Sequence, residues 1–224
     1  MITFHIITIF PEMFTSYTAE SILGRAIKQK NIAIKFYPLR DFVKGKYRKV
    51  WPDGNISAQV DDKPYGGGPG MILRAEPILE AVKKAKGKKK HVKIIMTSAG
   101  GSHFSNEYAQ KIIHQEKVTD IIIICGRYEG IDSRVQEALQ AEEISIGDYI
   151  LTGGELPAMV MMDALSRHVP GVLGKMESIE ENRISSHEMY TRPESLVWQK
   201  KKYTVPPVLL SGNHKDIDDW RSKE

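Results

Sequence analysis

The chain has 224 residues with 32 basic and 28 acidic side chains, and its 41% hydrophobic content allows one sizeable core beside a small second domain. No apolar run approaches the roughly 18 residues that cross a bilayer, and the first residues lack a basic start and a cleavage site, so we expect a cytoplasmic protein. The single cysteine, Cys125, excludes a disulfide framework and a cysteine-ligated zinc site.

The amino-terminal part of the chain has the pattern of a βαβ unit. Ile2 to Phe10 predicts a strand, Glu20 to Lys30 predicts a helix, and Ile32 to Tyr37 predicts a second strand. The predicted helix places four apolar residues on one face: Ile22, Leu23, Ala26 and Ile27. From Pro38 to Arg74 no period is visible, and segments of this length without regular structure are usually functional or disordered. This segment includes an insertion-like stretch, Trp51 to Val60, for which the sequence suggests no role.

Strand and helix continue to alternate through the middle of the chain. Glu76 to Ala85 predicts a helix, and Val92 to Met96 predicts the next strand. A polar loop with two glycines, Thr97 to Gly101, follows that strand, and Ser105 can cap the helix that comes next. This alternation predicts an α/β fold with a mainly parallel sheet and helices on both faces.

The most informative stretch holds two predicted strands that each end in a glycine loop. Ile121 to Cys125 is an unbroken apolar run that suits a strand covered on both faces, and the loop Gly126 to Gly130 follows it. A helix capped by Asp132 then leads to the second strand. That strand, Ile144 to Leu151, runs into the loop Thr152 to Pro157, so we expect two neighbouring strands to end at one site.

These glycine loops predict a binding site. Ligands of open parallel sheets bind beyond the carboxyl ends of the strands, and glycine lets backbone groups approach them closely. The loop Thr97 to Gly101 is a third of the same kind, although any one of these loops alone could be an ordinary tight turn. Because the loops contain no lysine, we expect a neutral or mixed-charge ligand held by backbone groups rather than a phosphate.

The carboxyl-terminal part is less regular. Ala158 to Leu165 is apolar nearly all round, which predicts a helix buried in its own core or against a second subunit. Glu177 to Glu188 is charged and aperiodic and predicts a mobile linker, and a short helix is predicted to end at Arg221. Lysine runs at Lys83 to Lys93 and at Lys200 to Lys202 could contact phosphates, although such runs are more often solvated.

Several common catalytic motifs are absent from the sequence. There is no G-x-x-x-x-G-K-[ST] phosphate loop, no H-E-x-x-H zinc motif and no G-x-S-x-G nucleophile elbow. A G-x-G-x-x-G fingerprint is also missing after the first strand. A dinucleotide-dependent oxidoreductase, which the βαβ units would otherwise suggest, therefore has little support.

Six segments form a specific set: YGGGPGM, CGRYEGID, SIGDYILTGGELPAM, SRHVPGVLG, YTRPE and VPPVLLSGNH. Together, and in this order over nearly the whole chain, they resemble the bacterial tRNA (guanine-N1-)-methyltransferases of the SPOUT class. The resemblance implies a homodimer whose carboxyl-terminal sheet region forms a trefoil knot. It also implies a methyltransferase domain over residues 1–174, a flexible linker over 175–191 and a short tRNA-binding tail domain over 192–224.

In that family the methyl donor, S-adenosylmethionine, lies in the knot, which assigns the glycine loops a role. By resemblance the donor pocket is lined by Thr97, Ser98, Gly126, Tyr128, Glu129, Gly130, Ser145, Ile146, Gly147, Asp148, Tyr149, Ile150, Leu151, Gly153, Gly154 and Pro157. The expected acceptor is the guanosine immediately 3′ of the tRNA anticodon, held by the second subunit's tail. The family also suggests a requirement for Mg²⁺, although no close pair of metal-ligating histidines is visible.

Methylation of guanine N1 sets chemical demands that single out further residues. A base must remove the N1 proton, and a cation must stabilise the charge that grows on O6. By resemblance Arg167 is that cation; otherwise it would be a cation favoured at the carboxyl end of a helix. The family places an aspartate where this chain has Asn182, and a neutral amide is no base. We therefore expect Glu181, or else Glu180, to take the proton.

The asparagine at this position also leaves a second function open. A catalytically weak protein of the same fold would bind the donor and RNA but seldom complete the reaction. Donor binding without nucleoside methylation would favour this alternative.

Overall fold

The structure is a computed structural model that describes residues 1–173 and 188–222. The chain divides into two compact units, Met1–Leu173 and Gly174–Glu224. Most of the predicted linker, residues 175–191, lies outside the described residues, so its flexibility stays a prediction.

The first unit is built around a five-stranded sheet. In sheet order the strands are β2 (Ile32–Pro38), β1 (Ile2–Thr8), β8 (Asp120–Ile124), β7 (Val92–His103) and β9 (Glu142–Ser145). Every pairing in this sheet is parallel, which confirms the predicted α/β class. The trefoil knot remains an expectation from the resemblance.

Helices cover both faces of the sheet, as predicted. On one face lie α2 (Ser21–Lys28), α4 (Asn106–Gln110) with the π-helical turn Lys111–Gln115 that continues it, and α6 (Glu155–Arg167). On the other lie α3 (Ala75–Lys86) and α5 (Arg134–Leu139). A short helix, α1 (Thr15–Ala19), precedes α2.

The isoleucine run of β8 explains why this strand lies at the centre of the sheet. Successive side chains of a strand point to opposite faces, so Ile121 and Ile123 join one hydrophobic cluster. Ile122 and Ile124 join the cluster on the other face. All four side chains are buried, and each contributes about 1.5–3 kcal/mol relative to an exposed position.

One helix start differs from the sequence signals, and one residue predicted to face the core is exposed. The Ser105 hydroxyl accepts a hydrogen bond from Tyr108 N (3.2 Å), which confirms it as the cap of α4. Asp132 was expected to cap α5, but that helix begins at Arg134 with Ser133 at the cap position. The Asp132 carboxylate, one residue before that cap position, accepts a hydrogen bond from the backbone N of Arg134 (3.0 Å), the first residue of the helix. In α2 the predicted inward residue Ile22 is exposed.

Three expectations about the strands were wrong. The predicted neighbours β8 and β9 are separated by β7, which pairs with both of them. β7 does not end at Met96 but continues to His103, with a shift of register against β9 between Thr97 and Ser102. β9 ends at Ser145 rather than Leu151.

The segment from Pro38 to Arg74 contains short elements that the sequence did not indicate. Two small antiparallel pairs form there, β3 (Arg48–Val50) with β4 (Ile56–Ala58), and β5 (Asp61–Asp62) with β6 (Ile72–Leu73). The insertion-like stretch therefore supplies most of a β-hairpin.

The described part of the second unit is small. It contains the antiparallel strands β10 (Ser195–Trp198) and β11 (Lys201–Thr204), then α7 (Pro207–Leu210) and α8 (His214–Arg221). The predicted short helix ending at Arg221 is confirmed. Tyr190 and Trp220 approach each other with ring centroids 6.4 Å apart.

Candidate functional site

Three loops meet at the carboxyl edge of the parallel sheet. One belongs to the middle of β7, one follows β8, and one joins β9 to α6. Together they line a cavity of about 450 Å³. Pockets for small molecules usually measure about 300–1,000 Å³, so this cavity has the size of a cofactor site.

The Thr97 hydroxyl fixes two of these loops to each other. It donates a hydrogen bond to Ile124 O (3.2 Å) and accepts one from Gly126 N (3.0 Å). Gly154 N, from the third loop, donates to Gly126 O (2.8 Å). A Cβ atom on Gly154 would collide with the Thr97 hydroxyl and lie 2.6 Å from Gly126 N, so only glycine fits there. The three loops are therefore held at fixed separations.

A buried ion pair joins the loops at this edge of the sheet to the strands and helix beside them. Arg127 Nε lies 2.8 Å from Glu155 Oε2, and the Glu155 side chain is fully buried at the start of α6. The Thr8 hydroxyl donates to the other carboxylate oxygen of Glu155 (2.8 Å). Arg127 also donates to Thr152 O (3.1 Å), and its guanidinium lies 4.9 Å from the centre of the Phe10 ring. The pair thus connects β1, the β8 loop and α6.

A fourth segment holds the β8 loop in place. Glu129 N donates to Met71 O (3.0 Å), and Leu73 N donates to Gly130 O (2.9 Å). Tyr128 between them has a left-handed backbone, with a φ of 59°. Residues other than glycine rarely adopt that conformation, and these flanking hydrogen bonds hold it.

The turn after β9 explains why the predicted strand stops early. The Ser145 hydroxyl donates to Gly147 O (3.0 Å) and accepts from Gly147 N (3.3 Å), which turns the chain away from the sheet. A Cβ atom on Gly147 would collide with the Tyr149 ring. Residues 146–151 consequently form a loop over the cavity, where Ile150 is 88% exposed.

The structure brings nearly all the predicted donor-binding residues together. The cavity is lined by Thr97, Ser98, Gly126, Tyr128, Glu129, Gly130, Ser145, Ile146, Gly147, Tyr149, Ile150, Leu151, Gly153, Gly154 and Pro157. Asp148 does not line it. Its carboxylate points to solvent, 94% exposed, and lies 2.9 Å from His103 Nε2.

Sequence reasoning missed other residues of the lining: Met96, Ala99, Gly100, Arg127, Ile131, Ser133, Glu143, Ile144 and Thr152. Most are neighbours of predicted residues. Arg127 had a signal of its own, because a charged residue between Gly126 and Tyr128 requires a partner if the loop is buried. Its partner, Glu155, also follows a glycine loop, but sequence spacing could not pair them.

Arg167, the predicted catalytic residue that the structure describes, is not part of this lining. Arg167 is the last residue of α6, whereas Pro157 near its beginning lines the cavity. Ten residues of helix separate them, which corresponds to about 15 Å along the axis. Glu180, Glu181 and Asn182 lie outside the described residues.

Burial raises the pKa of two side chains at the site. Burial, and then the nearby Asp61 carboxylate, raise the pKa of Tyr128 above its ordinary value. Burial likewise raises the pKa of the Cys125 thiol. Both groups therefore stay protonated at neutral pH, and Cys125 is a core residue rather than a nucleophile.

Residues 1–173 and 188–222 contain no group of three or more histidine, cysteine or acidic side chains that could hold a metal ion. Over the same residues, no helix is long and apolar enough to cross a membrane.

Known proteins resemble this chain over its whole length. The tRNA (guanine-N(1)-)-methyltransferase of Buchnera aphidicola from Acyrthosiphon pisum is 46% identical over 228 residues, covering 100% of this chain and 90% of the relative. The protein of the same name from Clostridioides difficile is 42% identical, covering 99% of this chain and 91% of the relative.

A solved structure agrees with the fold. The crystal structure of the tRNA (m1G37) methyltransferase from Aquifex aeolicus matches with a TM-score of 0.75 and 36% identity, covering 99% of this chain and 88% of that one. The family model described as tRNA (Guanine-1)-methyltransferase TrmD matches residues 2–224. The chain therefore belongs to the tRNA (guanine-1)-methyltransferase family.

Proposed function

We propose that this protein transfers the methyl group of S-adenosylmethionine to N1 of the guanosine immediately 3′ of the anticodon in tRNA, in the cytoplasm. The observation that carries the proposal is the cavity at the carboxyl edge, where Thr97, Gly126 and Gly154 hold three loops together. Family membership supports the reaction, and the name of the Aquifex aeolicus protein supports the position of the nucleoside.

The residues of the cavity fit this donor. S-adenosylmethionine combines an apolar purine with a sulfonium, an ammonium and a carboxylate, and when bound it supplies an electrophilic methyl group. Ile144, Ile146 and Leu151 offer apolar surface, while the carboxylates of Glu129 and Glu143 are the partners that cationic groups need. The glycine loops offer peptide groups for hydrogen bonds. Among the described lining residues the one basic side chain is Arg127, and its charge is neutralised by Glu155, so the cavity does not favour a phosphate.

The acceptor requires a base and a cation from this chain. Arg167 carries a planar cationic group that can donate hydrogen bonds to guanine O6 as negative charge grows there. Glu181 would accept the N1 proton, since Asn182 beside it cannot. In this scheme the peptide groups of the glycine loops orient the donor, and Arg167 and Glu181 act on the base.

The position of Arg167 supports a homodimer. About 15 Å of helix separates it from the start of α6 at the cavity, farther than an arginine side chain reaches, so a second copy would supply it. Helix α6 also exposes Leu156 and Val160, which lie one turn apart and are 51% and 47% exposed. Ile150 in the loop over the cavity is exposed as well, and exposed apolar residues of this kind are suited to contact with another copy.

The second unit would contribute to tRNA binding. Strands β10 and β11 carry an exposed Trp198 and the lysines Lys201 and Lys202, and Lys200 lies in the turn between them. Lysines next to exposed aromatic rings suit a nucleic acid, because cations contact phosphates and rings stack on bases.

The test is direct analysis of the product. An unmodified tRNA transcript is incubated with the protein and donor, then digested, and the nucleosides are separated by mass spectrometry against standards of the methylguanosine isomers. We expect 1-methylguanosine with wild-type tRNA and none when the target guanosine is replaced by adenosine. Donor binding measured by calorimetry without any methylated nucleoside would favour the catalytically weak alternative instead.

A further inference from the structure

The hairpin formed by β3 and β4 has no part in the donor cavity, and we call it the Trp51 ribbon (residues 44–58). Its turn is ordered by its own hydrogen bonds. Trp51 N donates to Asn55 O (2.8 Å), and Gly54 N donates to Trp51 O (2.9 Å). The Asp53 carboxylate accepts from Asn55 N (3.0 Å) and from the Asn55 side chain (2.8 Å). The tip is therefore a defined turn.

The tip of the Trp51 ribbon exposes apolar side chains that nothing in the first unit covers. Val50 is 67% exposed, while Trp51 and Ile56 are each 54% exposed. Val50 and Ile56 are directly paired across the strands, so they share one face of the ribbon. Three exposed apolar residues at one tip indicate a surface that contacts another molecule.

The base of the ribbon is anchored firmly. The Arg74 guanidinium lies 3.4 Å from the centre of the Tyr47 ring, and its NH1 group donates to Gln59 O (3.2 Å). Arg74 N donates to Val60 O (2.9 Å), and Val60 is buried in the core under α3. The Tyr47 hydroxyl donates to Asp62 Oδ2 (3.2 Å). A ribbon held in this way keeps a fixed direction.

Backbone pairing connects the base of the ribbon to the lining of the donor cavity. Asp62 pairs with Ile72 in the β5–β6 ladder, and Ile72 forms a bridge with Tyr128 of the cavity lining. Asp61, next to Asp62, is close enough to raise the pKa of Tyr128. The ribbon rises about 10 Å from this base, given 3.3 Å per residue of strand. The base of the ribbon is therefore connected through the backbone to the wall of the donor cavity, and its tip lies within about three residues of strand of that base.

Charge indicates which kind of molecule the ribbon contacts. Residues 44–58 contain four basic side chains, Lys44, Lys46, Arg48 and Lys49, and one acidic side chain, Asp53. Two copies of such a ribbon would repel each other, whereas a polyanion would be attracted. The combination of a tryptophan with neighbouring cations is typical of proteins that bind unpaired nucleotides.

The chemistry of the proposed reaction creates a need for such a contact. Guanine N1 lies on the Watson–Crick edge, and enzymes that act on a base generally take it out of its stack to enclose it in a pocket. Its neighbours then lose a stacking partner, and an exposed indole can replace it. We propose that the Trp51 ribbon binds RNA nucleotides flanking the target guanosine, with Trp51 stacking on a base and Arg48 and Lys49 contacting phosphates. This inference rests on the proposed function.

The first test measures binding of a short stem-loop RNA that carries the anticodon loop, by fluorescence anisotropy at fixed salt. Trp51→Ala should weaken binding about ten-fold, the loss typical of removing a stacking aromatic side chain. Trp51→Phe should restore most of the affinity because phenylalanine also stacks. A fully paired RNA of the same stem should bind the wild type and Trp51→Ala equally, since it offers no unstacked base.

The second test concerns the cations. Lys49→Ala should reduce the slope of log affinity against log salt by about one, as loss of a phosphate contact does. Lys28→Ala is the matched control, because Lys28 is an exposed lysine that ends α2 shortly before β2 and so lies near the amino edge of the sheet. That variant should keep the wild-type slope.

Equal affinity of the wild type and Trp51→Ala for the stem-loop would overturn the inference. So would a change from dimer to monomer in sedimentation of Trp51→Ala, since the ribbon would then be a contact between copies. Methylation of the stem-loop by the wild type is measured in the same series. If it occurs while Trp51→Ala binds normally, the role of the ribbon fails and the proposed function stands.

Discussion

At the scale of single residues, the cavity depends on positions where a side chain would not fit. Gly154 is pressed against the Thr97 hydroxyl and the Gly126 amide, and both atoms also fix the neighbouring loops. A methyl group at this point would have to push the loops apart. Overpacking of this kind usually costs about 1–3 kcal/mol of stability and displaces the backbone that lines the pocket.

We therefore predict that Gly154→Ala weakens binding of S-adenosylmethionine at least ten-fold and lowers the melting temperature. Calorimetry measures the first effect and thermal unfolding without donor the second. Gly100→Ala is the stability control, because a Cβ atom there meets no atom within 4 Å. Unchanged donor affinity in Gly154→Ala would show that the contact with Thr97 does not shape the pocket.

The buried pair of Arg127 and Glu155 gives a second prediction. Glu155→Gln should lower the free energy of unfolding by about 3–5 kcal/mol, because Arg127 would lose the charge that compensates its burial. Urea denaturation measures the change. Glu76→Gln is the matched control, because Glu76 pairs with Arg74 on the surface with its own side chain 73% exposed, and exposed pairs contribute at most about 1 kcal/mol. Similar losses in both variants would contradict this account.

At the scale of elements, β9 is an edge strand that a charged cluster ties to β7. Lys93 on β7 lies 2.5 Å from Glu142 on β9 and 3.2 Å from Glu116. The Tyr108 hydroxyl also donates to Glu142. Burial opposes ionisation of Glu142, but the hydrogen bonds from Lys93 and Tyr108 prevail and lower its pKa. The cluster therefore holds β9, and with it the loop over the cavity, most firmly when Glu142 is ionised.

The sign of the pH dependence follows from that lowered pKa. Glu142 contributes stability above the pKa of an unfolded glutamate, about 4.3, and the contribution is lost as pH falls through the lower folded value. Glu142→Gln should therefore be less stable than the wild type at neutral pH and lose less on acidification below about 4.3. Urea midpoints between neutral and acidic pH measure this. Tyr108→Phe should show a smaller change in the same direction, and parallel profiles for all three proteins would contradict the role of Glu142.

The elements also show how far the sequence could predict the fold. The run of β8 identified the central strand, because isoleucines on both faces of a strand require cover on both faces. The length of β7 could not be foreseen, since Gly100 and Gly101 resemble a loop in sequence. They remain in the strand because β7 pairs with β9 on both sides of them. The backbone of β9 also comes so close that a Cβ atom on Gly101 would lie 2.5 Å from the Glu143 carbonyl carbon, so glycine is required there. Such pairings join distant segments and leave no local pattern.

The same reasoning applies to the site. Glycine loops after strands predicted where the cavity lies, since all the strands of a parallel sheet end at one edge. The Arg127–Glu155 pair and the place of β7 between β8 and β9 depend on three-dimensional contacts between segments. The sequence did not predict the Trp51 ribbon, because its strands have three residues each and are too short for an alternating pattern to be recognised.

At the scale of the whole molecule, the proposed catalytic cation, Arg167, must reach a donor cavity that lies far from it along α6. Arg167 and Pro157 lie near opposite ends of one rigid helix, so no movement within α6 can bring the arginine to the cavity of its own chain. A symmetric dimer removes the difficulty, because each copy can offer Arg167 to the cavity of the other. The exposed apolar residues of α6 and the 146–151 loop would then be covered by the same contact.

Mixing of two inactive variants tests this arrangement. Gly154→Ala disables the donor pocket and Arg167→Ala removes the cation, so each homodimer should have little activity. After unfolding and refolding of an equimolar mixture, half of the dimers contain one chain of each kind. If Arg167 serves the partner's cavity, each mixed dimer has one intact site, and about a quarter of wild-type activity should return. If Arg167 served its own chain, every site would still carry a defect and the mixture would stay as inactive as its components.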